Sequence, residues 1–330
     1  MLARVGLGRV LTALPPRCHR PNALTTSHLL GHHHPSTSLE SLLSTVFTYP
    51  ASTSSSTRWK SRQSSDPYTR QSKLSGLKSR AAYKLLEIDA KHHLFRRGDT
   101  VVDLGFAPGS WSQVAANRTS PGGRVVGIDV IPAQPPRGVN ALQGNFLSEE
   151  IRAEVGRFVR EEGRGRVRDG GVRIEEVGDA LDGMGGEVVK EDGLTQKEMD
   201  VAAGRVVDVV LSDMSEPWPM VYSKWVRSVS NPYSRMQNTS GMPFRDHAGS
   251  MDLCMAALTF SFDTLRTGGN FLCKFFAGAE DHALEMRLKK LFDKVYRIKP
   301  DSSRKESKEA YFVALKRKAG VEREDVLGEG

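Results

Sequence analysis

The sequence predicts an α/β fold, with a mostly parallel sheet that closes on an antiparallel hairpin at its edge. Three observations lead there. Four apolar runs, Thr100–Leu104, Val125–Asp129, Val206–Ser212 and Gly269–Lys274, have the length and composition of strands. Helical stretches fall between most of them, and this alternation is the pattern of a parallel sheet. The chain then runs through VYRIKP, a polar loop and AYFVALKRK, two strands near enough in sequence to pair antiparallel.

Residues 1–60 do not belong to that pattern. Residues 1–65 carry seven Lys/Arg and one acid, Glu40, and are rich in Ser and Thr. Leu2, Val5, Leu7, Val10, Leu11 and Leu14 can share one face of a short basic helix. An Arg- and Ser-rich, acid-poor start has the composition of an organelle transit peptide, and its apolar centre is too short for a secretory signal. The segment therefore reads as a disordered mitochondrial presequence, with a plain disordered tail as the alternative. No metal is expected at His32, His33 and His34.

The main domain is expected over residues 66–318. From Leu77 the pattern is helical, with Leu77, Ala81, Leu85 and Ile88 at 3.6-residue spacing. Two segments interrupt the later rhythm. Residues 149–204 open with a short amphipathic helix (Ile151, Val155, Phe158, Val159) and then become Gly-rich and charged, with nine Lys/Arg against fifteen Asp/Glu. They read as a surface insertion, partly disordered. Residues 216–249 read as a long loop before a helix starting near Ser250, and residues 319–330 as a C-terminal tail.

Composition narrows the function classes. The 330 residues are 38% hydrophobic, enough for a core. No apolar run approaches the roughly 20 residues that span a bilayer. Cys18, Cys254 and Cys273 form no C-x-x-C pair, which argues against a zinc site or a disulfide framework. The net charge is +8. The start contributes an excess of bases and the insertion an excess of acids, so the expected core is itself basic and suits a polyanionic partner. A basic protein with no nucleic-acid role has the same charge.

The strongest local signal is VVDLGFAPGSWSQVA. A buried strand ends in Asp103, a turn runs from Gly105 to Gly109, and a helix begins near Ser110. This is the strand–turn–helix geometry in which a ligand packs on backbone at the carboxyl end of a parallel sheet, and glycine permits the close approach. Pro108 lies in the turn and lacks the N–H that a dinucleotide pyrophosphate would use. A cofactor without phosphates, such as S-adenosyl-L-methionine, fits better. The next strand ends in Asp129, whose carboxylate can accept from both hydroxyls of a ribose.

At these residues the sequence resembles the FtsJ-type rRNA 2′-O-methyltransferases. DLGFAPGSWSQVA carries the resemblance, with SRAAYKL before it and SDM, GGNFLCKFF and PDSSRKESKEAYFVA after it. It covers roughly residues 66–148 and 205–318. Taken with the basic start, it points to the mitochondrial branch, which methylates a uridine ribose near the peptidyl transferase centre. It implies a Rossmann-like, seven-stranded methyltransferase sheet, S-adenosyl-L-methionine as cofactor, and rRNA within an assembling large ribosomal subunit as partner. A monomer in the mitochondrial matrix is the expected form. The family's catalytic set falls on Lys84, Asp213, Lys274 and Glu309. Its cofactor contacts fall on Gly109, Trp111, Asp129 and Asp213, with Gly105 and Pro108 in the same turn. Two departures stand out. The family's G-D-F, whose Asp faces the adenine, is Gly144-Asn145-Phe146, and Asn145 offers a side-chain carbonyl in its place. The family's D-M-A-P is Asp213-Met214-Ser215-Glu216-Pro217.

Those residue types suit methyl transfer to a ribose. A methyl sulfonium is already reactive, whereas a 2′-hydroxyl is a poor nucleophile. Catalysis then needs in-line placement and help with the hydroxyl proton. Lys274 is either the general base, with Lys84 as the second cation that disfavours its proton, or a fixed cation for the developing oxyanion. Glu309 would orient Lys84 or the acceptor ribose. In residues 216–249, Trp218, Tyr222, Trp225, Tyr233 and Phe244 alternate with Lys224, Arg227, Arg235 and Arg245. That mixture can hold looped RNA by stacking and phosphate contact, or can pack the loop on its own domain. Competing readings are an RNA-binding ribosome-assembly factor with a methyltransferase fold, a small-molecule methyltransferase, and a nicotinamide oxidoreductase. The four-residue set, the basic loop and the Pro108 turn respectively disfavour them.

Overall fold

The computed structural model describes residues 65–161, 163–166, 194–219 and 236–328. The expected presequence and the middle of the 149–204 insertion lie outside the described residues. Strands β1 (Thr100–Leu104), β2 (Arg124–Asp129), β3 (Val139–Gln143), β4 (Val207–Ser212), β7 (Leu265–Phe276), β8 (Phe292–Ile298) and β9 (Glu309–Arg317) form one seven-stranded sheet. Its order is β3-β2-β1-β4-β7-β9-β8. The first five of these strands are parallel. β9 runs antiparallel between β7 and β8, so the closing hairpin adds its second strand on the inside and leaves its first at the edge. Two-residue strands β5 (Trp218–Pro219) and β6 (Met236–Gln237) pair antiparallel within the expected 216–249 loop.

Strand alternation sorts the core into two layers. Val101, Val125, Val209, Leu211, Leu272 and Tyr311 face one side, where α2 (Ala81–His92) and α3 (Ser110–Thr119) cover them with Leu85, Ile88, Trp111 and Val114. Val102, Val126, Val210, Phe271, Cys273 and Phe312 face the other. There α4 (Glu149–Arg160), α6 (Pro243–Thr264) and α7 (Asp281–Leu291) close the layer. Leu85 and Ile88 are essentially fully buried, so truncating either to Ala should cost about 2–5 kcal/mol. α1 (Pro67–Leu74) precedes this core, with Asp66 accepting from the N–H groups of Tyr68 and Thr69 as its N-cap.

Three expectations change. α6 begins at Pro243, well before Ser250. Proline is favoured in a first helical turn, where its missing N–H would have no partner, so the loop is shorter than the polar sequence suggests. The insertion opens with the expected helix but is also built in at its far end. Ser148 caps α4, and buried Arg124 donates to the carbonyls of Val159 (2.6 Å) and Glu161 (2.9 Å) at that helix's end. Helix α5 (Gln196–Ala202) starts with a capping box between Thr195 and Glu198. Finally, residues 319–330 include α8 (Arg323–Leu327), whose Val326 is fully buried, while Arg287 donates to the carbonyls of Val326 and Gly328. This end packs on α7 and is not a loose tail.

Candidate active site

Parallel strands end at one rim, and the functional side chains collect there. On the donor side, Gly105 (φ +77°) and Gly109 (φ +101°) take left-handed backbone conformations that glycine alone adopts cheaply. A Cβ on Gly105 would lie 2.8 Å from Cα of Met214, so the turn rests directly on the chain leaving β4. The N–H of Asp213 donates to the carbonyl of Leu104 at 3.2 Å and ties the same two segments. Pro108 stands exposed at the tip of the turn. Gly109 is the N-cap of α3 and supplies no side-chain cap.

Asp129, at the end of β2, is fixed by main-chain donors. Its Oδ2 accepts from Ala107 N (2.9 Å) and its Oδ1 from Ile131 N (2.8 Å). Burial raises its carboxyl above the usual value in spite of those bonds. Each oxygen keeps a second lone pair, so Asp129 can still receive two hydroxyls. Asp103, not singled out as a site from the sequence, is completely buried. Its Oδ2 accepts from Ser112 Oγ (2.6 Å), but Oδ1 has no partner. Burial first, opposed by Ser112 and reinforced by Asp213 and Asp129, pushes its carboxyl to about 7. A buried carboxylate with a vacant acceptor matches a cationic ligand group. The ammonium of S-adenosylmethionine has that chemistry, so these residues fit the cofactor.

Two expected cofactor contacts are placed differently. Trp111 is 2% exposed, its ring lies 5.8 Å from that of Tyr311, and its Nε1 donates to the carbonyl of Ala81 at 2.9 Å. Its side chain locks α3 to α2, and only its main chain is left to offer a ligand. Asn145 is exposed, and its Oδ1 accepts from Leu147 N at 3.0 Å. That bond uses one of the carbonyl's two lone pairs and leaves the other for an adenine amino group. An aspartate there would keep one oxygen for Leu147 and free the other.

On the acceptor side, strand alternation explains the assembly. Asp213 follows Leu211 by two and Glu309 precedes Tyr311 by two. Lys274 follows Leu272 by two and is the register partner of Tyr311. All four therefore share the face that α2 covers, and Lys84 projects from α2 one turn after Ala81. The result is two ion pairs. Lys84 Nζ lies 2.7 Å from Glu309 Oε1, with side chains 12% and 13% exposed. Lys274 Nζ lies 3.0 Å from Asp213 Oδ1. It also donates to the main-chain carbonyl of Asp213 (2.7 Å) and to Ser215 Oγ (2.6 Å). Its two hydrogen bonds go to the Asp213 carbonyl and Ser215 Oγ, and the Asp213 carboxylate adds an ion pair. Burial acts to raise the Glu309 carboxyl, but Lys84, with Lys274 behind it, outweighs burial and holds it below the usual range. Fully buried Tyr311 completes the cluster. Burial, then the negative charges of Asp213 and Glu309, push its hydroxyl well above the ordinary tyrosine value, so it remains a donor.

The four residues expected to act together are thus brought together, from positions 225 apart in sequence at the extremes, Lys84 and Glu309. Residues 77–317 match the model of the FtsJ-like methyltransferases. The chain belongs to that family. Among its relatives is the mitochondrial rRNA methyltransferase 2 of Saccharomyces cerevisiae, 38% identical over 83% of this chain and 91% of the yeast protein. Another is the mitochondrial rRNA methyltransferase 2 of Schizosaccharomyces pombe, 36% identical over 79% and 95%. The ribosomal RNA large subunit methyltransferase E of Rhizorhabdus wittichii is 34% identical over 79% and 85%.

Sequence reasoning missed Asp103, Ser215 and Tyr311. Asp103 and Tyr311 sit inside motifs read for other residues, and nothing in sequence distinguishes an orphaned buried carboxylate from a packed one. Ser215 stands where the family has Ala, and here its hydroxyl accepts from Lys274. Of the aromatic and basic loop, Trp218 carries the Arg245 guanidinium 4.5 Å from its ring centre, and Phe244 is 79% exposed. Tyr222, Trp225, Tyr233, Lys224, Arg227 and Arg235 lie outside the described residues. Among the described residues no cluster could hold a metal ion, and no helix is long and apolar enough to cross a membrane.

Proposed function

We propose that this FtsJ-like protein transfers the methyl group of S-adenosylmethionine to a uridine ribose 2′-hydroxyl of large-subunit rRNA, in the mitochondrial matrix. The observation that carries the reading is the pair of ion pairs, Lys84–Glu309 and Lys274–Asp213, beside a glycine turn that rests on the Asp213 segment. When bound, S-adenosylmethionine supplies an electrophilic methyl on sulfur. Asp103 and Asp129 would hold its ammonium and ribose, and the Gly105–Gly109 backbone would admit it closely. Lys274, which donates to the Asp213 carbonyl and Ser215, would exchange the Ser215 hydroxyl for the acceptor 2′-oxygen and stabilise the negative charge that grows there as the hydroxyl proton passes to solvent and the methyl parts from sulfur. Glu309 keeps Lys84 in place beside it. The arrangement supplies orientation and charge, which is what this reaction lacks in water.

The mitochondrial location is supported by the acid-poor, Arg-rich start and by the two yeast relatives. The deciding experiment is single-turnover methylation of large-subunit rRNA, free and within partly assembled subunits, with ribose methylation mapped in mitochondria with and without the protein. Unchanged ribose methylation in its absence would refute the reading. A reporter carrying residues 1–60 should enter mitochondria, and a cytosolic reporter would remove the location.

A further inference from the structure

A groove of about 930 Å³ adjoins the acceptor site, with Glu309 in its lining. It runs across the same rim, from Glu309 and Ala310 at the start of β9, past Ala277 and Gly278 after β7, to Arg297–Lys299 at the end of β8. Lys305 and Lys308, in the turn joining β8 to β9, form its outer wall. Both are exposed.

The charges in the groove are unevenly compensated. Arg297 is bound by both oxygens of Asp281 (3.0 and 2.9 Å), and Glu309 is taken by Lys84. Lys299, Lys305 and Lys308 remain, with Glu306 as the other acid lining the groove. The Lys299 ammonium is folded onto the turn, donating to the carbonyls of Ser307 (2.7 Å) and Lys305 (3.3 Å). Carbonyls fix it without cancelling its charge. The opposite wall is fixed as well. The buried His247 ring bonds to the carbonyl of Phe276 (2.7 Å) and accepts from Glu280 N (3.0 Å), bracketing Gly278. Among the described residues no aromatic side chain lines the groove. It therefore has what a sugar–phosphate backbone needs and lacks the stacking surfaces that would read bases.

We infer that the RNA strand flanking the acceptor nucleotide leaves the active site along this groove, with successive phosphates on Lys299, Lys305 and Lys308. The inference rests on the reading of the site as an RNA methyltransferase. It adds a sequence-independent grip beside the acceptor site.

The test measures binding of a single-stranded rRNA fragment containing the target, against salt concentration, with donor affinity measured separately. Each phosphate contact contributes about 0.7 to the log–log salt slope for single strands. Lys305→Gln with Lys308→Gln should lower the slope by about 1.4, and adding Lys299→Gln should bring the loss to about 2. Lys305→Arg with Lys308→Arg should keep the slope. Donor affinity should be unchanged throughout, which verifies the fold. Lys289→Gln with Lys290→Gln, on α7 away from the groove, is the charge control and should leave the slope as it is. An unchanged slope in the groove variants, or an equal loss in the α7 control, overturns the inference. Failure of the wild-type protein to bind RNA at all would instead overturn the functional reading itself.

Discussion

The donor half and the acceptor half of the rim are built in opposite ways. The donor half comes from one stretch, β1 through β3, and works through backbone: two left-handed glycines and carboxylates held by main-chain N–H groups or a neighbouring serine. The acceptor half takes single side chains from α2, β7, β9 and the end of β4, and works through charge. A site made of backbone tolerates almost no added volume, whereas a site made of paired charges tolerates volume but not loss of a partner. Removing one member leaves the other buried and unpaired.

Loss of the charge at Lys274 should give the largest effect. Lys274→Ala is expected to lower single-turnover transfer by about 10²–10³-fold, as for removal of an oxyanion donor, with donor affinity nearly unchanged. Lys274→Arg should retain more transfer than Ala, because it keeps the cation. An Arg variant as inactive as Ala would return the residue to the role of general base, since a guanidinium cannot accept a proton. Loss of donor binding in both variants would mean that the two halves are not separate.

Gly105→Ala tests the backbone half. The new Cβ would meet Met214 at 2.8 Å in a left-handed conformation, so donor binding should fall at least tenfold, on the scale of about 1.4 kcal/mol per factor of ten. Calorimetry with wild-type affinity in Gly105→Ala would refute the close approach.

Asp103 links the halves through pH. Its carboxyl is raised to about 7 in the folded protein, against about 3.9 when unfolded. Between these values the folded state holds a proton that the unfolded state has lost, so stability declines as pH rises through that window. A bound ammonium favours the ionised form. Donor affinity should therefore increase from pH 6 to pH 8, and Asp103→Asn should weaken binding and flatten the profile. A pH-independent affinity in the wild type would remove Asp103 from the site.

The smallest effect is expected at Asn145. Asn145→Asp should keep or modestly tighten donor binding, because one carboxylate oxygen can serve Leu147 N while the other is free. A large loss of affinity with the fold intact would place the adenine elsewhere.

The sequence by itself determined the sheet and the shape of the glycine turn. Strand–helix alternation and the Gly105–Gly109 turn are local patterns, since a run of a few residues decides its own backbone shape and its period of burial. Lys84, Asp213, Lys274 and Glu309 were readable only through a family resemblance, because nothing local distinguishes Lys84 from a lysine lying along an apolar stripe. Only the tertiary structure decided that α6 starts at Pro243, that the Asn145 carbonyl accepts from Leu147, that Trp111 is a core side chain, and that Asp103 has an oxygen with no partner. Each depends on what a distant segment places beside the residue. Pairing, burial and desolvation are properties of neighbours in space, and the order of residues along the chain does not state them.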